Sequence, residues 1–160
     1  MSPASPLRVL VVDDNVDAAQ SLCFLLEAMG CEAAACHDGP AGLGLASRFE
    51  PHLAIIDLDM PRMRGCDVVR HLRLQDGHAL AMVVCLTGSN RAEDRQQSLA
   101  AGFDAYVLKP IDHATLAGVL ERARALTVDL RTAHQPRRRA TPARREPASR
   151  HRDSAPGALR

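Results

Sequence analysis

The chain has 160 residues, 46% of them hydrophobic, which suits one domain with its own core and is too little for two large ones. No segment approaches the ~20 consecutive apolar residues of a membrane helix, and the N-terminal apolar run is cut off by Asp13 too early for a signal peptide, so a cytoplasmic protein without membrane contact is expected. The net charge of +1 hides a division of −5 over residues 1–133 and +6 over residues 134–160.

Residues 1–6, with Pro3 and Pro6, read as a short disordered lead. Leu7–Val12 is an apolar strand that stops at Asp13-Asp14. From Val16 to Met29, Ala18, Leu22, Leu25, Leu26 and Met29 recur at helical spacing; Asn15 can cap this helix and Gly30 ends it where a left-handed residue is commonly needed. Cys31–Cys36 reads as a second strand, Gly39–Phe49 as a second helix, and Leu53–Asp57 as a third strand ending in a carboxylate. The loop from Met60 to Gly65 leads to a helix over about Cys66–Leu74. Ala81–Thr87 is a fourth strand, Arg91–Ala101 a helix closed by Gly102, and Ala105–Leu108 a short fifth strand followed by Lys109-Pro110. The last helix begins near Asp112 and runs to at least Leu126, with Leu116, Val119, Leu120 and Ala123 on one face. A globular domain over 7–130 then gives way to a basic, disordered tail over 131–160, rich in Pro and Arg and poor in large apolar residues.

Five strands alternating with five helices predict an α/β fold: a five-stranded parallel sheet, doubly wound and flavodoxin-like, with strand order 2-1-3-4-5. Its switch point lies between strands one and three, so Asp13, Asp14 and Asp57 converge on one rim, joined by Thr87 and Lys109 from neighbouring strands. Packed carboxylates repel one another unless a cation sits among them, and a hard ion such as Mg2+ suits oxygen ligands. Asp57, beside a metal and Lys109, has the features of a carboxylate nucleophile that accepts a phosphoryl group. The Thr87 hydroxyl can donate to a phosphoryl oxygen, and Gly88 leaves room for the group to enter. The five cysteines are odd in number and show no C-x-x-C pair, so they read as reduced core thiols; the seven histidines are scattered and read as surface residues.

The chain resembles the receiver domain of two-component response regulators over roughly residues 7–126. The residues that carry the resemblance are Val-Val-Asp-Asp-Asn at 11–15, the run from Asp57 to Gly65, Leu86-Thr-Gly88 and Tyr106-Val-Leu-Lys-Pro110, in order and at the family's spacing. The resemblance implies Asp57 as phosphoacceptor, Asp14 as a direct Mg2+ ligand, Asp13 acting on the metal mainly through water, and residue Asp59 giving a backbone carbonyl. Lys109 matches the phosphoryl-binding lysine, whose bond to Pro110 is often cis in the family, and Thr87 with Tyr106 matches the switch pair. Phosphorylation would then reshape the face made by the fourth helix, fifth strand and fifth helix. Asp59 departs from the commonest pattern by adding a carboxylate, and Ser89 occupies the other position that influences water at the site.

The partners implied are a histidine kinase or histidine phosphotransfer protein and a downstream protein target, with a homodimer through the fourth and fifth helices as a further option. The 34 residues after Leu126 are too few and too polar for a DNA-binding domain, so a stand-alone receiver is expected, either a terminal output or a phosphorelay intermediate. It would not be an independent enzyme beyond assisting its own phosphorylation and dephosphorylation. Nucleic acid enters only through residues 134–160, where Arg137-Arg138-Arg139 and Arg144-Arg145 lack interleaved aromatics. A haloacid dehalogenase-like phosphatase is the rival from the enzyme class, because Asp57-Leu58-Asp59 also looks like its Asp-x-Asp pair; that family usually carries the pair on the first strand.

Overall fold

The computed structural model describes residues 4–75 and 80–134. Ten elements alternate along the chain: β1 (Arg8–Val12), α1 (Val16–Ala28), β2 (Glu32–Cys36), α2 (Gly39–Phe49), β3 (Leu53–Asp57), α3 (Gly65–Leu74), β4 (Met82–Thr87), α4 (Ala92–Ala101), β5 (Ala105–Leu108) and α5 (His113–His134). The strands form one parallel sheet in the order β2-β1-β3-β4-β5, the flavodoxin-like topology expected from the alternation.

The central strands are apolar at nearly every position because both faces of the sheet are covered. Val9, Val11, Leu53, Ile55, Met82 and Val84 point to one side, where α1 supplies Leu22 and Leu26 and α5 supplies Leu116 and Leu120. Leu10, Val12, Ala54, Ile56, Val83 and Cys85 point to the other, against Ala46 of α2, Val68, Val69 and Leu72 of α3, and Ala101 of α4. The alternation within each strand thus builds two cores from one sheet.

Local chemistry sets the helix ends. The Asn15 side chain accepts the Ala18 N–H at 3.0 Å, and Gly30 takes φ +84° just beyond α1. Asp38 caps α2 through the Ala41 N–H at 2.7 Å, Asp112 caps α5 through the Thr115 N–H at 2.7 Å, and Gly102 closes α4 with φ +119°. Replacing Asn15 by Ala is expected to cost about 1 kcal/mol in urea-unfolding measurements, because one first-turn N–H of α1 loses its partner.

Two expectations need correction. His52 is 3% exposed, not a surface residue: it lies just before β3 and its Nδ1 accepts the Arg8 N–H at 3.0 Å, which serves that nitrogen in place of water. α5 continues to His134, so residues 131–134 are helical although the expected tail begins at 131; no Pro or Gly lies between Gly118 and Pro136. Residues 1–3 of the expected lead and 135–160 of the tail lie outside the described residues. All five cysteines are free; Cys31, Cys36 and Cys85 are buried, and burial pushes the Cys36 thiol up to about 11 and Cys85 to about 12.

Candidate functional site

In the β1–β3 pairing Val12 stands opposite Ile56, so the next residues, Asp13 and Asp57, leave the sheet side by side. Both are nearly buried, whereas Asp14, one residue further along, is exposed. Oxygens of the three carboxylates lie within 4.8 Å of one another. From the end of β5, Lys109 reaches into this group: Nζ donates to Asp13 Oδ2 at 2.9 Å and lies 3.3 Å from Asp57 Oδ1. The Lys109 backbone N–H is held by the Thr87 carbonyl at 2.7 Å, and the Lys109-Pro110 bond is cis. Asp13 Oδ1 accepts the Asn15 N–H at 2.9 Å, which fixes its carboxylate.

Burial is the main force on Asp57 and raises its carboxyl to about 6; Lys109 opposes the rise and Asp13 adds to it. Burial acts to lower the Lys109 ammonium, but its contacts with Asp13 and Asp57 together hold it above the usual lysine value. Three carboxylates facing one ammonium leave an excess of negative charge at neutral pH. The donor set is all hard oxygen, and the exposure of Asp14 leaves that side open to water, so the residues fit a divalent cation of the Mg2+ type.

The Thr87 side chain is fully buried, and its hydroxyl oxygen accepts the Ser89 N–H at 3.1 Å. Gly88 beside it is exposed, and a side chain built there would meet nothing within 4 Å. Tyr106 is half-buried against the α2–α3–α4 core, with its hydroxyl donating to the Ser89 carbonyl. Ser89 is therefore held through its N–H by β4 and through its carbonyl by β5. Its own hydroxyl turns away to Asp94 at the start of α4. Asp59 does not join the three clustered carboxylates; its side chain is exposed and pairs with Arg64 at 3.2 Å.

Two contributors were not read from the sequence. His37 Nδ1 lies 3.1 Å from the Asp13 carbonyl, an oxygen that can only accept, so the ring donates there. Gly65 passes so close to the end of β3 that a Cβ would stand 2.4 Å from the Asp57 carbonyl oxygen. His37 has no signal in spacing, and Gly65 is marked only as the end of the run from Asp57, since both contacts depend on how separate loops meet.

Residues 9–121 match the family model of the response regulator receiver domain. The chain is 33% identical over 123 residues to an uncharacterised 14.6 kDa protein of Leptolyngbya boryana, covering 76% of this chain and 93% of that one. It is 37% identical over 119 residues to the transcriptional regulatory protein PrrA of Mycobacterium bovis, covering 74% of this chain and 49% of PrrA. The chain thus spans about half the length of PrrA and 44% of the DNA-binding response regulator MtrA of Mycobacterium tuberculosis, to which it is also similar. Among solved structures, the chemotaxis protein CheY4 of Vibrio cholerae superposes with a TM-score of 0.70 at 28% identity, over 74% of this chain and 99% of that one.

Proposed function

Because the chain belongs to the response regulator receiver domain family, we propose that Asp57 accepts a phosphoryl group from a phosphorylated histidine of a kinase or phosphotransfer protein. The observation that supports this most directly is the Lys109 ammonium lying between the Asp13 and Asp57 carboxylates at the switch point of the sheet. A carboxylate oxygen of Asp57 attacks phosphorus, the new O–P bond forms as the N–P bond to the donor breaks, and the leaving imidazole recovers a proton. Asp13, Asp14, Asp57 and the backbone carbonyl of Asp59 would hold Mg2+, which supplies charge neutralisation for the transferring group. Lys109 pairs with a phosphoryl oxygen, and the open space over Gly88 admits the group.

Thr87 carries the response outward. When its hydroxyl donates to the bound phosphoryl group, the Thr87–Ser89 contact is redrawn, and Ser89 is also the anchor of the Tyr106 hydroxyl. The β4–α4 loop and the ring on β5 therefore move as one unit, shifting the α4–β5–α5 face between two packings that a downstream protein distinguishes.

The test is the intact mass of wild type and Asp57→Ala after incubation with Mg2+ and a phosphorylated histidine kinase or a small phosphodonor. One labile phosphoryl unit on wild type alone is expected. Equal labelling of both proteins would move the acceptor elsewhere, and no labelling by any donor despite Mg2+ binding would leave a phosphorylation-independent interaction module.

A further inference from the structure

At the edge of the sheet opposite the acidic rim lies a second polar cluster that phosphoryl chemistry does not use. His52 stands just before β3, Arg8 opens β1, and Arg124 and Arg131 come from the C-terminal half of α5. Because His52 Nδ1 accepts the Arg8 N–H, the ring proton sits on Nε2. Burial, followed by the charges of Arg8 and Arg131, lowers the ring to about 4, so it is a neutral N–H donor at physiological pH. Among the described residues no acceptor meets Nε2–H, and no fully enclosed side-chain nitrogen or oxygen lacks a partner. The ring lines a cavity of about 260 Å³ bounded also by Gly30, Arg124, Thr127, Arg131 and the segment Ala4–Leu7.

Helix capping accounts for two of the three arginines. Arg8 Nε donates to the Phe49 and Glu50 carbonyls at 3.0 and 2.9 Å, at the end of α2. Arg124 donates to the Met29 carbonyl at 3.2 Å, at the end of α1. Arg131 makes no hydrogen bond or ion pair with a described residue, and none of the three guanidinium groups meets a described carboxylate. Three helix-end carbonyls nearby are thus paired, while the His52 ring and Arg131, which meets no described carboxylate, line the same space. Cationic side chains and a neutral N–H donor around one cavity suit a negatively charged ligand.

We propose that this cavity binds a small oxyanion, a phosphate monoester or a carboxylate, through His52 Nε2–H and the guanidinium groups of Arg131 and Arg124. Its volume is about nine times the ~30 Å³ share of one water molecule, so an oxyanion with a short organic group fits. Bound there, the ligand joins the last turns of α5 to the starts of β1 and β3.

The experiment follows the His52 ring signals of the full chain by NMR, in EDTA to keep the Asp57 pocket free of metal, during titration with inorganic phosphate, glycerol phosphate or succinate. A saturable shift with at least one of them is expected, weakened about tenfold or more in Arg131→Ala, since a charge-assisted hydrogen bond is lost. Arg131 is exposed, so an unchanged unfolding midpoint is expected to show that the variant folds. Stronger binding of glycerol phosphate than of succinate identifies phosphate as the ligand group, and the reverse order a carboxylate. No saturable shift across the millimolar range, or equal affinity in wild type and Arg131→Ala, overturns the proposal.

Discussion

Asp57→Asn is expected to be more stable than wild type at pH 7.5 without divalent cation, by about 3 kcal/mol. The folded chain raises the Asp57 carboxyl from its ordinary value of 3.8 to about 6, because burial and the Asp13 charge oppose ionisation more than Lys109 favours it. A carboxyl with a raised pKa contributes stability that is fully present below the unfolded-state value and is lost as pH rises through the folded-state value. The difference between the two proteins should therefore be absent below about pH 4, open between about pH 4 and 6, and remain constant above. Saturating Mg2+ should close it, since binding stabilises the folded wild type and the amide is the poorer ligand. Urea unfolding across this pH range, with EDTA or Mg2+, measures each part. A wild type more stable than Asp57→Asn in EDTA at pH 7.5 would mean that the Lys109 pair outweighs desolvation, and the site would be a structural ion pair before it is a metal site.

Gly65→Ala should cost about 3 kcal/mol, the upper end of what overpacking usually costs. The added Cβ would stand 2.4 Å from the Asp57 carbonyl oxygen and 3.0 Å from Leu58 Cα, both backbone atoms that no rotamer change can move. Nor can this stretch of chain retreat freely, because the Leu58 N–H donates to the Leu86 carbonyl and the Leu58 carbonyl accepts the Gly65 N–H. If Asp57 is the acceptor, as proposed, the fraction that folds should also be phosphorylated more slowly, since relief of the clash displaces Asp57 itself. Gly118→Ala is the control: it lies exposed in α5 with nothing within 4 Å of the new methyl group, and should stabilise by about 1 kcal/mol. Paired thermal unfolding and phosphorylation time courses would separate the two effects; a Gly65→Ala variant as stable as wild type would show that the β3–α3 loop is looser than its hydrogen bonds indicate.

The acidic rim was legible because β1, β3, β4 and β5 are short, apolar and parallel, which fixes where each strand ends. Register then does the rest: with Val12 level with Ile56, the following carboxylates must be neighbours. The direction of a loop side chain had no such rule behind it. Asp59 sits two residues from Asp57 in sequence yet turns to Arg64, since an exposed guanidinium nearby is a better partner than three carboxylates. A lone histidine before a strand carries no sign of whether a backbone N–H will meet it, so the burial of His52 is not legible in the sequence. Composition marks a tail from residue 131, whereas a helix continues until its backbone is interrupted, and Arg131 to His134 offer no interruption.

The length of α5 also sets a lever arm. At 1.5 Å per residue its 22 residues extend about 33 Å, while the four residues of β5 beside it cover only about 13 Å. The chain enters this helix next to the acidic rim and leaves it at the far pole of the domain. A reporter fused directly after His134 would therefore sit at that pole, leaving the acidic rim open while being attached to the helix that runs from it.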